Sequence, residues 1–301
     1  MTEINRHSSF DFMKYKWIFF DISLAILIPG IISLAVYKLR LAIDFTGGTL
    51  LEIQSQEKID RATIENAAKS QNLELSSVQE AGDNSYLLRL KPITAEQNEQ
   101  FKQALGKDVV EKRFETVGPT VGRELTQKAL AAVGVASLAI VLYIAWAFRS
   151  VPKPYSSWKF GLSAIAALLH DAFVVLGIFS LLGDLYGVEI DALFVTAMLT
   201  VIGFSVHDTI VVFDRIRENL PKMPGQSFTD VVNFSLSETL VRSLNTSLTV
   251  LLTLSALLLF GGESIRWFVV ALLIGILSGT YSSIFNAAPL LVLWEAKRKS
   301  A

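Results

Sequence analysis

The sequence predicts an α-helical integral membrane protein, with six transmembrane helices and one α+β domain outside the membrane between the first and second. Three observations carry this expectation. Hydrophobic residues make up 51% of the 301-residue chain and charged residues only 18%, against about 25% charged in ordinary soluble domains. A water-facing surface has to be polar, so the shortage of charge points to lipid. Six apolar stretches match the about 20 residues that a helix needs, at about 1.5 Å each, to cross the hydrocarbon. The long segment between the first two alternates short strand and helix patterns instead.

A polar tail, 1–16, leads into the first span at 17–37. This span is long enough to cross the membrane and has no small-residue cleavage site after it, so it does not read as a signal peptide. Pro29-Gly30 within it predicts a kink that bundle neighbours can tolerate. In the 38–128 segment, TLLEIQ (49–54) alternates like a strand and ATIENAAKSQN (62–72) has helical composition. SSVQEA (76–81) and SYLLRL (85–90) read as a hairpin around Gly82-Asp83-Asn84. TAEQNEQFKQAL (94–105) reads as a helix with Thr94 as N-cap, and VVEKRFETVG (109–118) as a last strand. The order βαββαβ is the ferredoxin-like split motif. It carries no nucleophile–base pair or phosphate loop, so interaction is expected of it rather than catalysis. The remaining spans are expected at 129–148, 160–182, 192–213, 239–260 and 267–294, followed by a tail at 295–301.

Lys and Arg in the short connections set the orientation. Arg6, Lys14 and Lys16 precede the first span, and Arg149, Lys153 and Lys159 follow the second. Arg215, Arg217 and Lys222 lie in 214–238, and Lys297, Arg298 and Lys299 in the tail. The intervening 183–191 has none and 261–266 only Arg266, so both termini are expected in the cytoplasm and 38–128 outside. A net charge of −1 gives no electrostatic case for nucleic acid. Cysteine is absent, which excludes disulfides and thiolate chemistry, and His7, His170 and His207 are too scattered for a zinc site. No metal site and no catalytic constellation is expected, and the chain does not read as an enzyme.

Ionisable residues inside a bilayer are costly and mark function or pairing. His170 and Asp171 fall in the third span, His207 and Asp208 in the fourth, and Arg242 near the start of the fifth. Asn245, Thr246, Thr249 and Thr253 continue from Arg242 at helical spacing, and Thr200, Ser205 and Thr209 add polarity around Asp208. A carboxylate, an arginine and a hydroxyl stripe on neighbouring helices could form a wet proton path. Low dielectric tightens a carboxylate's hold on a proton and a nearby guanidinium loosens it, so alternating between the two would move protons. Each residue also has a plainer role. Arg242 can snorkel to the cytoplasmic interface. His170, His207 and Asp171 can hydrogen-bond across helices. Asp208 is the strongest candidate, because no Lys or Arg lies one turn away in sequence. Gly275-xxx-Gly279 and Ser278-xxx-Ser282 read as packing devices.

Several stretches together resemble the SecF family of bacterial protein-export subunits. They are FDFMKYKW (10–17), IDFTGGTLLEI (43–53), VGPTVGRELTQKAL (117–130), ALLHDAF (167–173), IGFSVHDTIVVFDRIREN (202–219) and RSLNTSLTVLLTL (242–254). The resemblance covers nearly the whole chain in register, and the short external domain fits SecF rather than SecD. It implies half of a resistance–nodulation–division-type bundle that pairs with SecD, associates with the SecYEG channel and handles an exported unfolded polypeptide. YajC is a further partner it suggests. The proton-motive force would drive late export, with protons as the coupling ion and no other cofactor. Asp208 and Arg242 match the family's proton-pathway aspartate and arginine, while His207 stands where the family often has Asn. A bacterial inner membrane is implied, with a thylakoid membrane as the alternative.

In the IDFTGGT stretch, which begins at Ile43 and includes Asp44, Gly47-Gly48 can take positive φ and turn the chain into the first strand. At Gly118-Pro119 the proline fixes φ on re-entry. These residues are expected to act as hinge and anchor between domain and membrane. Two other functions compete with export: a proton-coupled small-molecule antiporter of the same superfamily, and a non-conducting scaffold. The antiporter predicts larger external domains, and the scaffold predicts that Asp208 and Arg242 are replaceable.

Overall fold

The computed structural model describes residues 10–80, 84–106, 108–152 and 154–296. Arg6, His7, Gly82, Asp83, Lys153 and the basic run Lys297-Arg298-Lys299 lie outside them. A 3-10 turn, Phe12–Tyr15, leads into α1 (Lys16–Val36), followed by the single turn α2 (Ile43–Thr46) and β1 (Gly48–Ser55). Next come α3 (Arg61–Ser70), β2 (Leu75–Glu80), β3 (Ser85–Leu90), α4 (Ala95–Leu105) and β4 (Val109–Val117). The chain ends with α5 (Pro119–Ala147), α6 (Ser157–Tyr186), α7 (Ala192–Asn219), α8 (Phe228–Phe260), α9 (Arg266–Ser282), a π turn (Ser283–Ala287) and α10 (Ala288–Ala296). Six helices among the described residues are long and apolar enough to cross a membrane.

Several helices overrun their apolar stretches. α5 starts at Pro119, where 129 was expected, α8 starts at Phe228, where 239 was expected, and α7 continues to Asn219. The expected 214–238 connection therefore shrinks to 220–227. Hydropathy registers where lipid ends, whereas a helix ends where its hydrogen-bond ladder is capped. The cap here is Ser227, whose hydroxyl accepts from the Asp230 N–H while Asp230 returns the bond. The sixth span is continuous in hydropathy but contains the π turn, which hydropathy cannot register.

The chain divides into two compact units, 41–131 and the remainder. In the first, an antiparallel sheet runs in the order β2-β3-β1-β4. Strict alternation in β3 turns Tyr86, Leu88 and Leu90 inward with Leu51 and Ile53 of β1. Ile64 and Ala68 of α3 and Phe101 of α4 complete this core. Thr94 caps α4 in a reciprocal box with Gln97.

A tight crossing closes this unit where its chain enters and leaves. Gly47 (φ 72°) and Gly48 (φ 131°) both hold the positive φ that favours glycine. A methyl group on Gly47 would stand 3.0 Å from the Pro119 Cα, and one on Gly122 would stand 2.9 Å from the Gly47 N. The Thr126 hydroxyl reaches the Phe45 carbonyl at 3.3 Å, fastening α5 to this turn. Pro119 opens α5, where a missing N–H costs nothing. Gly47→Ala meets both an unfavourable φ and the proline, so a loss of about 1–3 kcal/mol is expected. Thermal unfolding of the purified protein measures it, and Gly118→Ala, where an added methyl meets nothing within 4 Å, is the control.

In the second unit α1 lies along α6, with Gly30 against Gly177 and the Ser33 and Ser180 hydroxyls 2.8 Å apart. α6, α7 and α9 form the interior. One apolar cluster gathers Phe148, Phe160, Phe213, Ile216 and Phe228, and another gathers Phe179, Phe194, Val201, Val269 and Leu272. Between them lies a layer of buried polar side chains, among them Asp171, Ser205, Asp208, Ser243, Ser282 and Ser283. α7 and α9 can close on this layer because Gly275 faces Val201 and Gly279 faces Ser205. A methyl added at Gly275 would overlap both Val201 methyls. Gly275→Ala is expected to cost about 1–3 kcal/mol. Val201→Ala in the same chain should recover most of it, which unfolding of the single and double variants reads directly.

Candidate functional site

Asp208 sits on α7 and is 7% exposed. It accepts a hydrogen bond from the Ser243 hydroxyl of α8 at 2.7 Å and one from the Ser283 hydroxyl at the start of the π turn. Asp171, on α6, is fully buried. It accepts from Ser205 on α7 at 2.6 Å and from Ser278 and Ser282 on α9 at 2.7 and 2.6 Å. The His170 Nδ1 lies 3.0 Å from it. Among the described residues no Lys or Arg pairs with either carboxylate. Hydroxyls suit such a site, since each can donate to a carboxylate or accept from a protonated carboxyl.

The structure brings together Asp171, His170 and Ser205, and it buries Asp208 and Thr209 beside them, with the Thr209 hydroxyl donating to the Ser205 carbonyl. It does not join Arg242 to Asp208. Arg242, Asn245, Thr246 and Thr249 are exposed on the outer side of α8, and His207 is exposed on α7. The expected polar face of α8 therefore does not point at the carboxylate. That helix carries two polar rows: Thr239, Ser243 and Ser247 repeat every four residues and face inward, while the row beginning at Arg242 faces outward. Adjacent residues differ by about 100° around a helix, so a row begun one residue away serves another surface. The Thr249 hydroxyl bonds back to the Thr246 carbonyl at 2.8 Å.

Arg242 instead borders a surface recess lined by Val211, Asp214, Arg215, Glu218, Glu238 and Thr239. Arg215 there grips Glu238 at 2.7 and 2.8 Å and Glu218 at 2.9 Å, and Asn219 donates to Glu238 at 2.7 Å. Arg242 makes no hydrogen bond or ion pair among the described residues. Asp44, Gly47, Gly48, Gly118 and Pro119 belong to the 41–131 unit, around the crossing that closes it.

Ser243, Ser278, Ser282 and Ser283 escaped the sequence reading as site residues. The signal was present in the four-residue spacing of Ser243 and Ser247, and of Ser278 and Ser282. In α9 the glycines provide the close packing, and the serines spaced like them bond to Asp171.

Comparison with known proteins identifies the family. Residues 97–297 match the family model for the protein export membrane protein SecD/SecF C-terminal region, and residues 32–59 match the SecD/SecF GG motif. A protein translocase subunit SecF from Thermobaculum terrenum is 49% identical, over 95% of this chain and 94% of its own. The SecF subunit of Anaerolinea thermophila is 44% identical over 93% and 92%. The SecDF subunit of Bacillus subtilis is 38% identical over 97% of this chain but only 39% of its own length. Among solved structures, SecDF from Thermus thermophilus, described as a translocon-associated membrane protein, superposes with a TM-score of 0.82 at 32% identity. It covers 98% of this chain and 40% of the SecDF chain. The chain belongs to the SecD/SecF family of protein-export membrane proteins, on its SecF side.

Proposed function

We propose that this SecF-type subunit of the Sec translocation machinery uses protons as its coupling ion, without another cofactor and without enzymatic chemistry. The observation that carries the reading is Asp208: a buried carboxylate in a membrane-spanning helix, held by hydroxyls of two other segments and paired with no cation among the described residues. Such a group is satisfied both ionised and protonated, because hydroxyls reverse their direction of donation. Asp208 and Arg242 are read as the proton pathway, with Asp171, His170 and the serines in support. A unit charge crossing 100 mV releases about 2.3 kcal/mol, within the about 1–3 kcal/mol by which distant sites are coupled. The test is gradient-driven export by complexes carrying Asp208→Asn, where undiminished export rejects the reading.

SecDF relatives join SecD and SecF sequence in one chain, which implies SecD as the partner. SecYEG, YajC and an exported unfolded polypeptide are proposed as further partners. We read the 41–131 sheet unit as ferredoxin-like and extracytoplasmic, with the Gly47-Gly48 and Gly118-Pro119 segments transmitting motion. Both termini are assigned to the cytoplasm of a bacterial inner membrane, with a thylakoid membrane as the alternative. The outward polar rows of α7 and α8, with Thr196, Thr200, His207, Arg242, Asn245 and Thr246 exposed, suit contact with protein better than with lipid. The chain has no cysteine, so single cysteines report cleanly. A cysteine replacing Thr200 or Thr246 is expected to be shielded from a lipid-soluble maleimide when SecD is co-expressed and labelled when it is absent. Equal labelling in both would put SecD elsewhere.

A further inference from the structure

We propose that Asp171 is a positioning residue for Asp208: by gripping Ser282 it fixes where α9 passes into the π turn, and so holds the next hydroxyl, Ser283, on Asp208. This deepens the proton-carrying reading of Asp208 and rests on it.

Two adjacent serines serve two carboxylates on different helices. Ser282 ends α9 and donates to Asp171 of α6 at 2.6 Å, while Ser283 begins the π turn and donates to Asp208 of α7. Adjacent side chains on a helix point about 100° apart, which lets neighbouring residues reach separate partners. The same geometry makes the arrangement sensitive. If the change from α to π winding moved by one residue, the side chains beyond it would rotate and Ser283 would leave Asp208. A single π turn interrupts the i→i+4 ladder of the helix around it, and such turns are frequent at functional sites.

Asp171 supplies the missing constraint. A carboxylate offers about four acceptor positions, and Asp171 meets four partners: Ser205, Ser278, Ser282 and His170 Nδ1. Ser278 and Ser282 are one turn apart on α9, so one carboxylate holds two successive turns up to the edge of the π segment. Gly279 between them allows the approach: a methyl there would stand 3.2 Å from the Ser205 Cα and 3.6 Å from an Asp171 carboxylate oxygen. Ser205 lies three residues before Asp208, so Asp171 also holds the turn of α7 that carries that group. The titratable groups around Asp171 are His170 on its own helix and Asp208 one α7 turn beyond Ser205; α9 meets it with hydroxyls alone. Ser278-xxx-Ser282 thus has a use beyond packing.

The test uses the full chain with SecD in proteoliposomes and follows carboxyl carbonyl bands by infrared difference spectroscopy between neutral and acidic pH. The band absent in Asp208→Asn identifies Asp208. Losing a hydrogen-bond donor moves a carbonyl band to higher frequency, so Ser283→Ala is expected to shift it upward. Asp171→Asn and Ser282→Ala, which touch Asp208 nowhere, are expected to shift it the same way. Gradient-driven export is expected to fall about tenfold in Ser283→Ala and in Asp171→Asn, with the double variant no lower than either. An unmoved Asp208 band in Asp171→Asn and Ser282→Ala, or a double variant that loses the product of the single effects, overturns the proposal. Should Asp171→Asn fail to assemble, Ser282→Ala keeps the carboxylate and decides the matter alone. If Asp208→Asn removes no band and export persists, the Asp208 reading has failed, which is a distinct result.

Discussion

In complexes carrying Asp208→Asn, export driven by a proton gradient falls to the level seen without a gradient, while SecD still co-purifies. The two halves of this result have separate causes. Asn matches the shape of Asp: its carbonyl can accept from one of Ser243 and Ser283, and its NH2 can donate to the other, whose hydroxyl turns to accept. The structural loss is therefore about that of one weakened hydrogen bond, about 1 kcal/mol, which a well-packed bundle tolerates. The amide cannot take up and release a proton, so the coupling step disappears. Asp208→Glu is the informative companion. It keeps a titratable carboxyl but adds a methylene to a buried site, at a cost of about 1–3 kcal/mol, so partial gradient-driven export is expected. The measurement is export into proteoliposomes with an imposed pH difference, each variant compared with and without the gradient. Full export by Asp208→Asn would return the chain to a non-conducting scaffold.

Legibility in the sequence followed the range of the interactions involved. The six spans and the alternating strands rest on local periodicity, which one chain displays. Helix ends at Pro119, Asn219 and Phe228 depend on caps and on helix running past the lipid, so apolar stretches misjudged them. Asp208 could be found because what matters is the local absence of a neutralising charge. The hydroxyls that hold it could not, because Ser243 and Ser283 come from other parts of the chain and serine in a membrane helix is common. Arg242 drew attention to its own row on α8, while the inward row at Thr239, Ser243 and Ser247 holds no charge to advertise it. Asp171 reads as an ordinary interhelical partner in the sequence, because its donors come from distant parts of the chain, α7 and α9.

Arg242 gives the second large effect. Ser243, its neighbour in sequence, donates to Asp208, so the Arg242 backbone lies near the depth of that carboxylate. Its side chain turns outward to the recess that contains Glu238, Arg215 and Asp214. The guanidinium therefore borders a charged surface recess near the level of the buried carboxylate, and it has no partner of its own among the described residues. An arginine on an outer face of a membrane helix costs about 2.5–3.5 kcal/mol at the centre of the bilayer unless something meets it. On the proton-pathway reading, what meets it is SecD or the ionised, proton-released state of the site, and charge is essential. Arg242→Gln then loses gradient-driven export by about tenfold or more. Arg242→Lys retains part of it, because a point charge remains while the planar fork is gone. On the snorkelling reading the side chain only reaches the headgroups, and both variants export fully. The ordering of wild type, Lys and Gln under an imposed gradient separates the two readings, because a mere packing loss would not rank the variants by charge.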